Sequence, residues 1–187
     1  MYPHRLLFAG LATLLLLSSA QAQDTIEVVP PPRSGNLERS PLALAATWID
    51  SAYVKIVYGS PRKRGREIFG ALVPYGQVWR TGANEATEIT TTGDLNFGGH
   101  RLPAGTYSLF TIPYPERWTI IVNRALGQWG AYEYNADLDL FRFEVPVHQT
   151  DKLYEGFTIT FEKEGDHTFL YLRWDRTEVR IPVATAR

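Results

Sequence analysis

The feature that most constrains the fold is a series of short segments in which apolar and polar residues alternate. Residues 140–147 alternate Phe and Val with Arg and Glu, and residues 118–123 begin with Trp-Thr-Ile-Ile-Val. Alternation with period two puts every second side chain on one face, as in a β-strand that buries one side. After residue 22, no stretch of about a dozen residues keeps the i, i+3, i+4 spacing of an amphipathic helix. The pattern predicts an all-β chain.

Turn-forming residues separate these segments at short intervals. Asp50-Ser51 joins the first two, and Pro113-Tyr114-Pro115-Glu116 joins two others into an expected hairpin. The predicted strands are residues 42–48, 52–58, 88–92, 95–97, 106–112, 118–123, 140–147, 154–161, 168–174 and 178–183. Many short strands with turns between them are typical of a sandwich or a barrel. We therefore expect an antiparallel β-sandwich, jelly-roll-like, with a long irregular connection near its middle.

The first 22 residues have the three parts of a secretory signal peptide. A short n-region with Arg5 precedes an apolar stretch from Leu6 to Leu17, and residues 20–22 read Ala-Gln-Ala, as a cleavage site requires. We expect cleavage after Ala22 and a periplasmic or secreted protein. The apolar stretch is shorter than the roughly 20 residues of a spanning helix. No later stretch is long enough either, so no transmembrane segment is expected in the mature chain.

The remaining chain divides at a change in composition. Residues 23–41 contain Pro30-Pro31-Pro32 and lack strand or helix periodicity, which predicts an extended N-terminal spacer. Residues 42–187 form one predicted β-sandwich domain, which is large enough to bury a core. The chain has no cysteine, so disulfides, thiolate metal sites and a lipid-anchored N-terminus are excluded.

The charge of the chain is close to balanced. Removing residues 1–22 removes one basic and no acidic residue, which leaves 18 Lys and Arg against 20 Asp and Glu. Such a balance gives no bulk attraction to nucleic acid or to a membrane surface. The sequence also lacks the G-x-S-x-G, G-x-x-x-x-G-K-[ST] and H-E-x-x-H motifs. We expect neither a nucleic-acid partner nor a cofactor.

Three histidines follow residue 22, namely His100, His148 and His167. Each lies in or beside a predicted turn, and they are far apart in the sequence. A histidine metal site would need all three to converge in space. No metal site is predicted.

Polar side chains of specific types are concentrated in residues 79–87, the central segment, which reads Trp-Arg-Thr-Gly-Ala-Asn-Glu-Ala-Thr. Arg80 supplies a fixed cation, Asn84 an amide that both donates and accepts, and Glu85 a carboxylate. Groups of this kind orient a polar ligand through complementary hydrogen bonds. The central segment is therefore the predicted ligand-binding surface.

Two loops extend this prediction. Residues 59–67, the basic loop, carry four basic residues, of which Arg66 is closest to the central segment. Its planar fork suits a carboxylate or phosphate, although basic loops are also ordinary solvated turns. Residues 127–135, the aromatic loop, contain Trp129 and Tyr132. Exposed rings suit sugars or flat ligands, whereas buried rings would close the end of the sandwich.

Three functions remain open. The first is binding of a small polar or carbohydrate-like ligand, or of a partner's loop, by the residues Arg66, Arg80, Asn84, Glu85, Trp129 and Tyr132. The second is a glycan-directed hydrolase, which would use Glu85 and, at a defined separation, Glu88 or Asp94 as a second carboxylate. The third is a structural, envelope-associated module. In that case Gly82 and Asn84 would form a left-handed tight turn, and Arg80 would pair with Glu85 or Glu88.

The same residues also resemble a known family. Matching runs are Tyr58-Gly59-x-Pro61, Arg64-Gly65-Arg66-x-Ile68-Phe69-Gly70, residues 72–87, residues 102–113 and Gln128-Trp129-Gly130-Ala131-Tyr132. They resemble an uncharacterised family of exported bacterial proteins, a domain of unknown function, over roughly residues 40–183. The resemblance implies secretion and a single all-β domain. It implies no substrate and no catalytic residue.

Overall fold

The computed structural model describes residues 39–186. The predicted signal peptide, residues 1–22, and residues 23–38 of the predicted spacer lie outside the described residues, as does residue 187. The strands are β1 Leu42–Ile49, β2 Ala52–Gly59, β3 Thr87–Thr91, β4 Leu95–Phe97, β5 His100–Leu102, β6 Gly105–Pro113, β7 Arg117–Asn123, β8 Asp139–Glu164 and β9 His167–Thr185. A short 3-10 helix, Ala136–Leu138, precedes β8. Within the described range, no helix reaches the length and apolar character that a membrane crossing requires.

These strands are hydrogen-bonded into one sheet, in the order β1-β2-β3-β6-β7-β8-β9-β4-β5. Every neighbouring pair is antiparallel. The predicted all-β antiparallel class is confirmed, and so is the hairpin in which β6 pairs with β7. The division into the two sheets of a jelly roll stays a prediction, because one set of hydrogen bonds links all the strands.

Two strands are much longer than the alternation predicted. β8 pairs with β7 through its first residues and with β9 through its later ones, so it joins the predicted segments 140–147 and 154–161. β9 likewise joins two predicted segments, and its last residues pair with β4. The β8–β9 register shifts between Gln149 and Tyr154 and again before Thr158. These irregularities interrupt the side-chain alternation while the backbone stays extended, which is why the sequence indicated breaks.

The sheet curls so that strands distant in its order face one another. Tyr58 on β2 accepts a hydrogen bond from Ile159 N on β8 at 3.0 Å, and its ring centroid lies 5.8 Å from that of Phe157. The backbone N–H of Phe157 donates to Pro61 O at 2.8 Å. The sheet thereby encloses an apolar core drawn from almost every strand. Burial of this core stabilises a chain that has no disulfides.

A cluster of aromatic rings packs beside the start of the central segment. Trp79 stacks on Trp174, with 6.0 Å between ring centroids and an interplanar angle of 16°. Phe69 lies 6.0 Å from Trp79 and 4.8 Å from Trp118. Ring contacts of this kind add about 0.5–1.5 kcal/mol each to the stabilisation from buried area. The cluster fixes the position of Trp79 and therefore of the residues that follow it.

Candidate functional site

The central segment is held on β6 by hydrogen bonds that satisfy its buried polar groups. Trp79 and Thr111 exchange two backbone hydrogen bonds at 2.7 and 2.9 Å. The Thr81 hydroxyl donates to the Thr111 hydroxyl at 3.1 Å, and the Thr87 hydroxyl donates to Thr81 O at 2.7 Å. The Trp79 indole donates to Gly82 O at 3.1 Å. The buried half of the central segment is therefore occupied in maintaining its own conformation.

Two residues of the central segment have a left-handed backbone, Thr81 with φ 56° and Asn84 with φ 65°. The prediction for Asn84 is confirmed, but the second left-handed residue is Thr81 rather than Gly82. Glycine is needed at position 82 for a different reason, since a Cβ there would lie 2.9 Å from Gly59 O. At Gly59, a Cβ would lie 2.1 Å from Ala83 O. The two backbones therefore touch, and no side chain fits between them.

A cavity of about 330 Å³, the arginine cavity, opens beside the central segment. Its walls contain four arginines, Arg39, Arg64, Arg66 and Arg80, together with Asn84. The other lining residues are Ser40, Pro61, Leu72, Val73, Trp79, Gly82, Ala83 and Trp174. Among residues 39–186, no Asp or Glu lines this cavity. The arginine cavity is therefore cationic, although the chain as a whole is nearly neutral.

Backbone carbonyl oxygens hold three of the four guanidinium groups of the arginine cavity, those of Arg64, Arg66 and Arg80. Arg66 donates through Nε to Lys63 O at 3.0 Å and through Nη2 to Arg62 O at 2.6 Å. Arg64 donates to Arg39 O at 2.9 Å. In the part of the chain that the structure describes, none of the four cavity arginines forms an ion pair. A carbonyl orients a guanidinium without neutralising its charge, so the charge remains available to an anion.

The lysine of the basic loop has a different role. Lys63 Nζ pairs with Asp175 on β9 and also donates to Arg66 O at 2.8 Å. The backbone N–H of Arg64 donates to Glu155 Oε1 at 2.8 Å. Glu155 therefore attaches the basic loop to β8, and Asp175 attaches it to β9. Its arginine side chains are consequently presented to the cavity from a fixed backbone.

Arg80 lies between the arginine cavity and a second cavity of about 290 Å³. Its Nη1 donates to Asn84 O at 3.2 Å, and its guanidinium carbon lies 5.9 Å from the ring centroid of Tyr132. Neither Glu85 nor Glu88 forms an ion pair with Arg80, so the pairing considered for an architectural role is not formed. Glu88 instead accepts a hydrogen bond from the backbone of the aromatic loop at 2.9 Å.

Glu85 lines a third cavity, of about 460 Å³, together with Asn84 and Trp129. The other lining residues are Arg39, Ser40, Leu42 and Gly59. Asn84 Nδ2 donates to Ser40 O at 3.3 Å, which attaches the residues before β1 to the site. Glu85 is exposed, and no second carboxylate among residues 39–186 lines this cavity. The paired carboxylates of a typical glycosidase are therefore not found on its described walls.

The aromatic loop is tied to the central segment through its backbone. Gly130 N donates to Asn84 O at 2.9 Å, and Glu85 and Trp129 form an isolated antiparallel bridge. Trp129 is 60% exposed and Tyr132 is 82% exposed. The sequence left open whether these rings are exposed or buried, and in the structure both face solvent.

The predicted site residues line three adjoining cavities. Arg66, Arg80 and Asn84 line the arginine cavity, Glu85 and Trp129 join Asn84 in the third cavity, and Tyr132 joins Arg80 in the second. Sequence reasoning missed Arg39, Arg64 and Trp174. Arg64 could be found as a member of the basic loop. Arg39 belongs to the predicted spacer and Trp174 to a strand, and nothing in their sequence context indicates that they line this cavity.

A groove of about 410 Å³ lies between the end of β1 and the turn that joins β8 to β9. Its lining includes Trp48, Asp50, Lys163, Asp166 and His167. Charges of both signs are mixed there, so the groove has no preference for anions of the kind that the arginine cavity has. Among residues 39–186, no group of three or more His, Asp or Glu residues is arranged to hold a metal ion.

A family model described as "Protein of unknown function (DUF2911)" matches residues 40–183. The matched range contains the central segment, the basic loop and the aromatic loop. No curated protein and no solved structure matches the chain. Because the family model spans most of the sequence, the chain belongs to the DUF2911 family, whose function is unknown.

Proposed function

We propose that this protein binds a small anionic ligand, carrying a carboxylate or a phosphate, in the arginine cavity. The supporting observation is the set of four guanidinium groups without a carboxylate on the described walls. Several cations around one cavity create a positive local potential. A bound anion would offset the mutual repulsion of the guanidinium groups.

The dimensions and lining of the arginine cavity suit a small ligand. Its volume of about 330 Å³ is at the lower end of the range of about 300–1,000 Å³ for small-molecule sites. Each arginine can hold a carboxylate or phosphate through two parallel hydrogen bonds. Asn84 adds an amide, and the indoles of Trp79 and Trp174 add apolar surface. The site thus combines strong anion donors with apolar surface.

The binding proposal is tested by calorimetry on the purified protein with phosphate, citrate and glucuronate. The Arg66→Ala/Arg80→Ala variant should bind at least about a hundredfold more weakly, because a hydrogen bond to a charged group contributes about 1.5–3 kcal/mol. Absence of binding by the wild type to all three anions would overturn the proposal. So would an unchanged affinity in the double variant.

A matched control separates the site from general charge. Arg101→Ala/Arg117→Ala removes the same net charge from exposed arginines that pair with Asp94 and Glu144. We expect this variant to bind anions as the wild type does. Thermal unfolding of both double variants shows whether each is folded before affinities are compared.

We further propose that the protein acts in the periplasm or outside the cell. The support is the three-part pattern of residues 1–22. Expression of the full chain in a bacterium should give a product that is recovered outside the cytoplasm and begins at Gln23. Recovery of an uncleaved chain from the cytoplasm would contradict this proposal.

A further inference from the structure

We infer that the anion held in the arginine cavity belongs to an acidic saccharide chain, whose neighbouring sugar rings stack on Trp129 and Tyr132. This inference rests on the proposed anion binding and names the chemical class of the ligand. It follows from the continuity of the cavities, the exposure of the rings and the position of one carboxylate.

The binding surface continues on both sides of the arginine cavity. Asn84 lines both the arginine cavity and the third cavity, which contains Trp129. Arg80 lines both the arginine cavity and the second cavity, which contains Tyr132. A free anion would fill only the middle of this surface. A chain with an anionic group between two further units would fill all of it.

Each outer cavity presents an exposed ring at a fixed place. Trp129 and Tyr132 are 60% and 82% exposed, so most of the area that each ring could bury is left to a ligand. The rings are held by the loop backbone, since Gly130 N donates to Asn84 O. A Cβ at Gly130 would lie 2.8 Å from the Tyr132 ring, so glycine permits the close turn between the two aromatics. A ligand would find the rings already in place, which reduces the entropy lost on binding.

Glu85 distinguishes a saccharide from other anions. It is exposed and lines the cavity that contains Trp129. A carboxylate accepts hydrogen bonds from hydroxyl groups and repels a second carboxylate. A sugar ring offers both a flat C–H face to an indole and hydroxyls to Glu85. An acidic peptide would bring a further negative charge to this position, and inorganic phosphate would use neither ring.

The inference is tested by measuring the affinity of the purified protein for four ligands of stated composition. These are glucuronic acid, an alternating tetramer of glucuronic acid and N-acetylglucosamine, a neutral glucose tetramer and tetraglutamate. We expect the acidic sugar tetramer to bind at least tenfold more tightly than each of the others. Trp129→Ala and Tyr132→Ala should each weaken binding of the alternating tetramer about tenfold, as loss of a ring contact predicts, and leave the affinity for glucuronic acid within about twofold. Both side chains are exposed, so the variants should stay folded.

Trp48→Ala is the matched control, because Trp48 is 61% exposed and lines the groove beside β1 instead. It should bind all four ligands as the wild type does. Equal affinity for the monomer and the acidic tetramer would overturn the inference and leave the proposed anion binding intact. Equal affinity for tetraglutamate or the neutral tetramer would also overturn it. Failure of every anion to bind would overturn both proposals.

Discussion

The arginines of the β8–β9 hairpin and those of the arginine cavity have opposite surroundings. Arg173 donates to Glu178 at 2.6 Å and to Glu162 at 3.0 Å. Arg180 lies 3.3 Å from Glu164. In the arginine cavity, the described residues offer the guanidinium groups only backbone carbonyls and one aromatic ring. The same residue type is neutralised in one region and left charged in the other.

The difference shows which arginines the fold uses for its own stability. Burial works against the charged form of Arg173, but the hydrogen bonds to Glu162 and Glu178 outweigh burial and raise its pKa. Its guanidinium also lies 3.9 Å from the ring centroid of Tyr171. Arg173 is thus part of the packing between β8 and β9. Among residues 39–186 the cavity arginines have no carboxylate partner, so a ligand gains more from them than the described part of the fold does.

The largest expected effect is on the free energy of unfolding, at the contact between β2 and the central segment. Gly59→Ala would put a Cβ 2.1 Å from Ala83 O, with backbone on both sides. We expect the free energy of unfolding, measured by urea denaturation, to fall by about 3 kcal/mol, because no side-chain rotation relieves this clash. Gly156→Ala is the control, since its Cβ would lie 3.4 Å from Ser60 Oγ. Equal stability of the two variants would contradict the close contact.

Arg173 and Arg80 test the comparison directly. Arg173→Ala should lower the free energy of unfolding by about 2–3 kcal/mol, because it leaves Glu178, whose side chain is 16% exposed, without its partner. Its anion affinity should be unchanged. Arg80→Ala should alter stability by less than about 0.5 kcal/mol and weaken anion binding about tenfold. Urea denaturation and calorimetry measure the two quantities, and the reverse pattern would refute the division between the two regions.

A carboxylate introduced into the wall of the arginine cavity should neutralise its arginines, as the glutamates neutralise Arg173. Leu72 is 43% exposed and lines both the arginine cavity and the second cavity. Leu72→Glu should weaken anion binding about tenfold and stabilise the fold by about 0.5 kcal/mol, as an exposed ion pair does. Leu44→Glu, at a residue that is 60% exposed on β1, should change neither quantity. Retained anion affinity in Leu72→Glu would show that unpaired charge is not what defines the site.

The smallest effect concerns another paired arginine, Arg142. The Tyr134 hydroxyl donates to Asp139 Oδ2 at 2.8 Å and accepts a hydrogen bond from Arg142. Burial, with the hydrogen bond to Asp139, raises the pKa of Tyr134 from its ordinary 10.0 to about 12. A raised pKa means that the folded state holds this proton more tightly than the unfolded state. The resulting stability is complete below pH 10 and is lost as the pH rises towards 12.

Tyr134→Phe removes this titration. The free energy of unfolding of the wild type should decline from pH 10 to 12 by up to about 1 kcal/mol more than that of the variant, since partial exposure screens the interaction. Urea denaturation at pH 9, 10, 11 and about 12 measures the difference. Parallel curves for the two proteins would show that Tyr134 does not report on the Asp139–Arg142 pair.

The fold could be predicted from sequence where a strand keeps one partner on each side. β2 and β3 alternate buried and less buried positions along most of their length, so their pattern is visible in the sequence. β8 changes partner from β7 to β9 after Pro146, and its register with β9 shifts between Gln149 and Tyr154 and again before Thr158. Alternation is lost at these shifts although the strand continues. A pattern with period two cannot record a register shift, and the predicted breaks in β8 and β9 result from this.

The candidate site could be predicted in part, because Arg80, Asn84 and Arg66 are specific polar residues close to one another in sequence. Arg39 could not be found in this way. Its position depends on the backbone hydrogen bond from Ser60 N to Pro41 O, at 2.8 Å, which brings the residues before β1 to the basic loop. The sequence also does not determine whether the rings of the aromatic loop are exposed, because composition does not show whether another segment covers them.

The pairing of β4 with the end of β9 sets an order of events during folding. Leu95 on β4 lies opposite Thr185 on β9, and β9 in turn needs its register with β8. Pairings between residues so distant along the chain form slowly, because a long loop must close before the pairing contributes any stability. The β4–β5 hairpin therefore docks late, after β9 has been synthesised. The nascent chain therefore remains incompletely folded until the end of β9 has emerged from the ribosome.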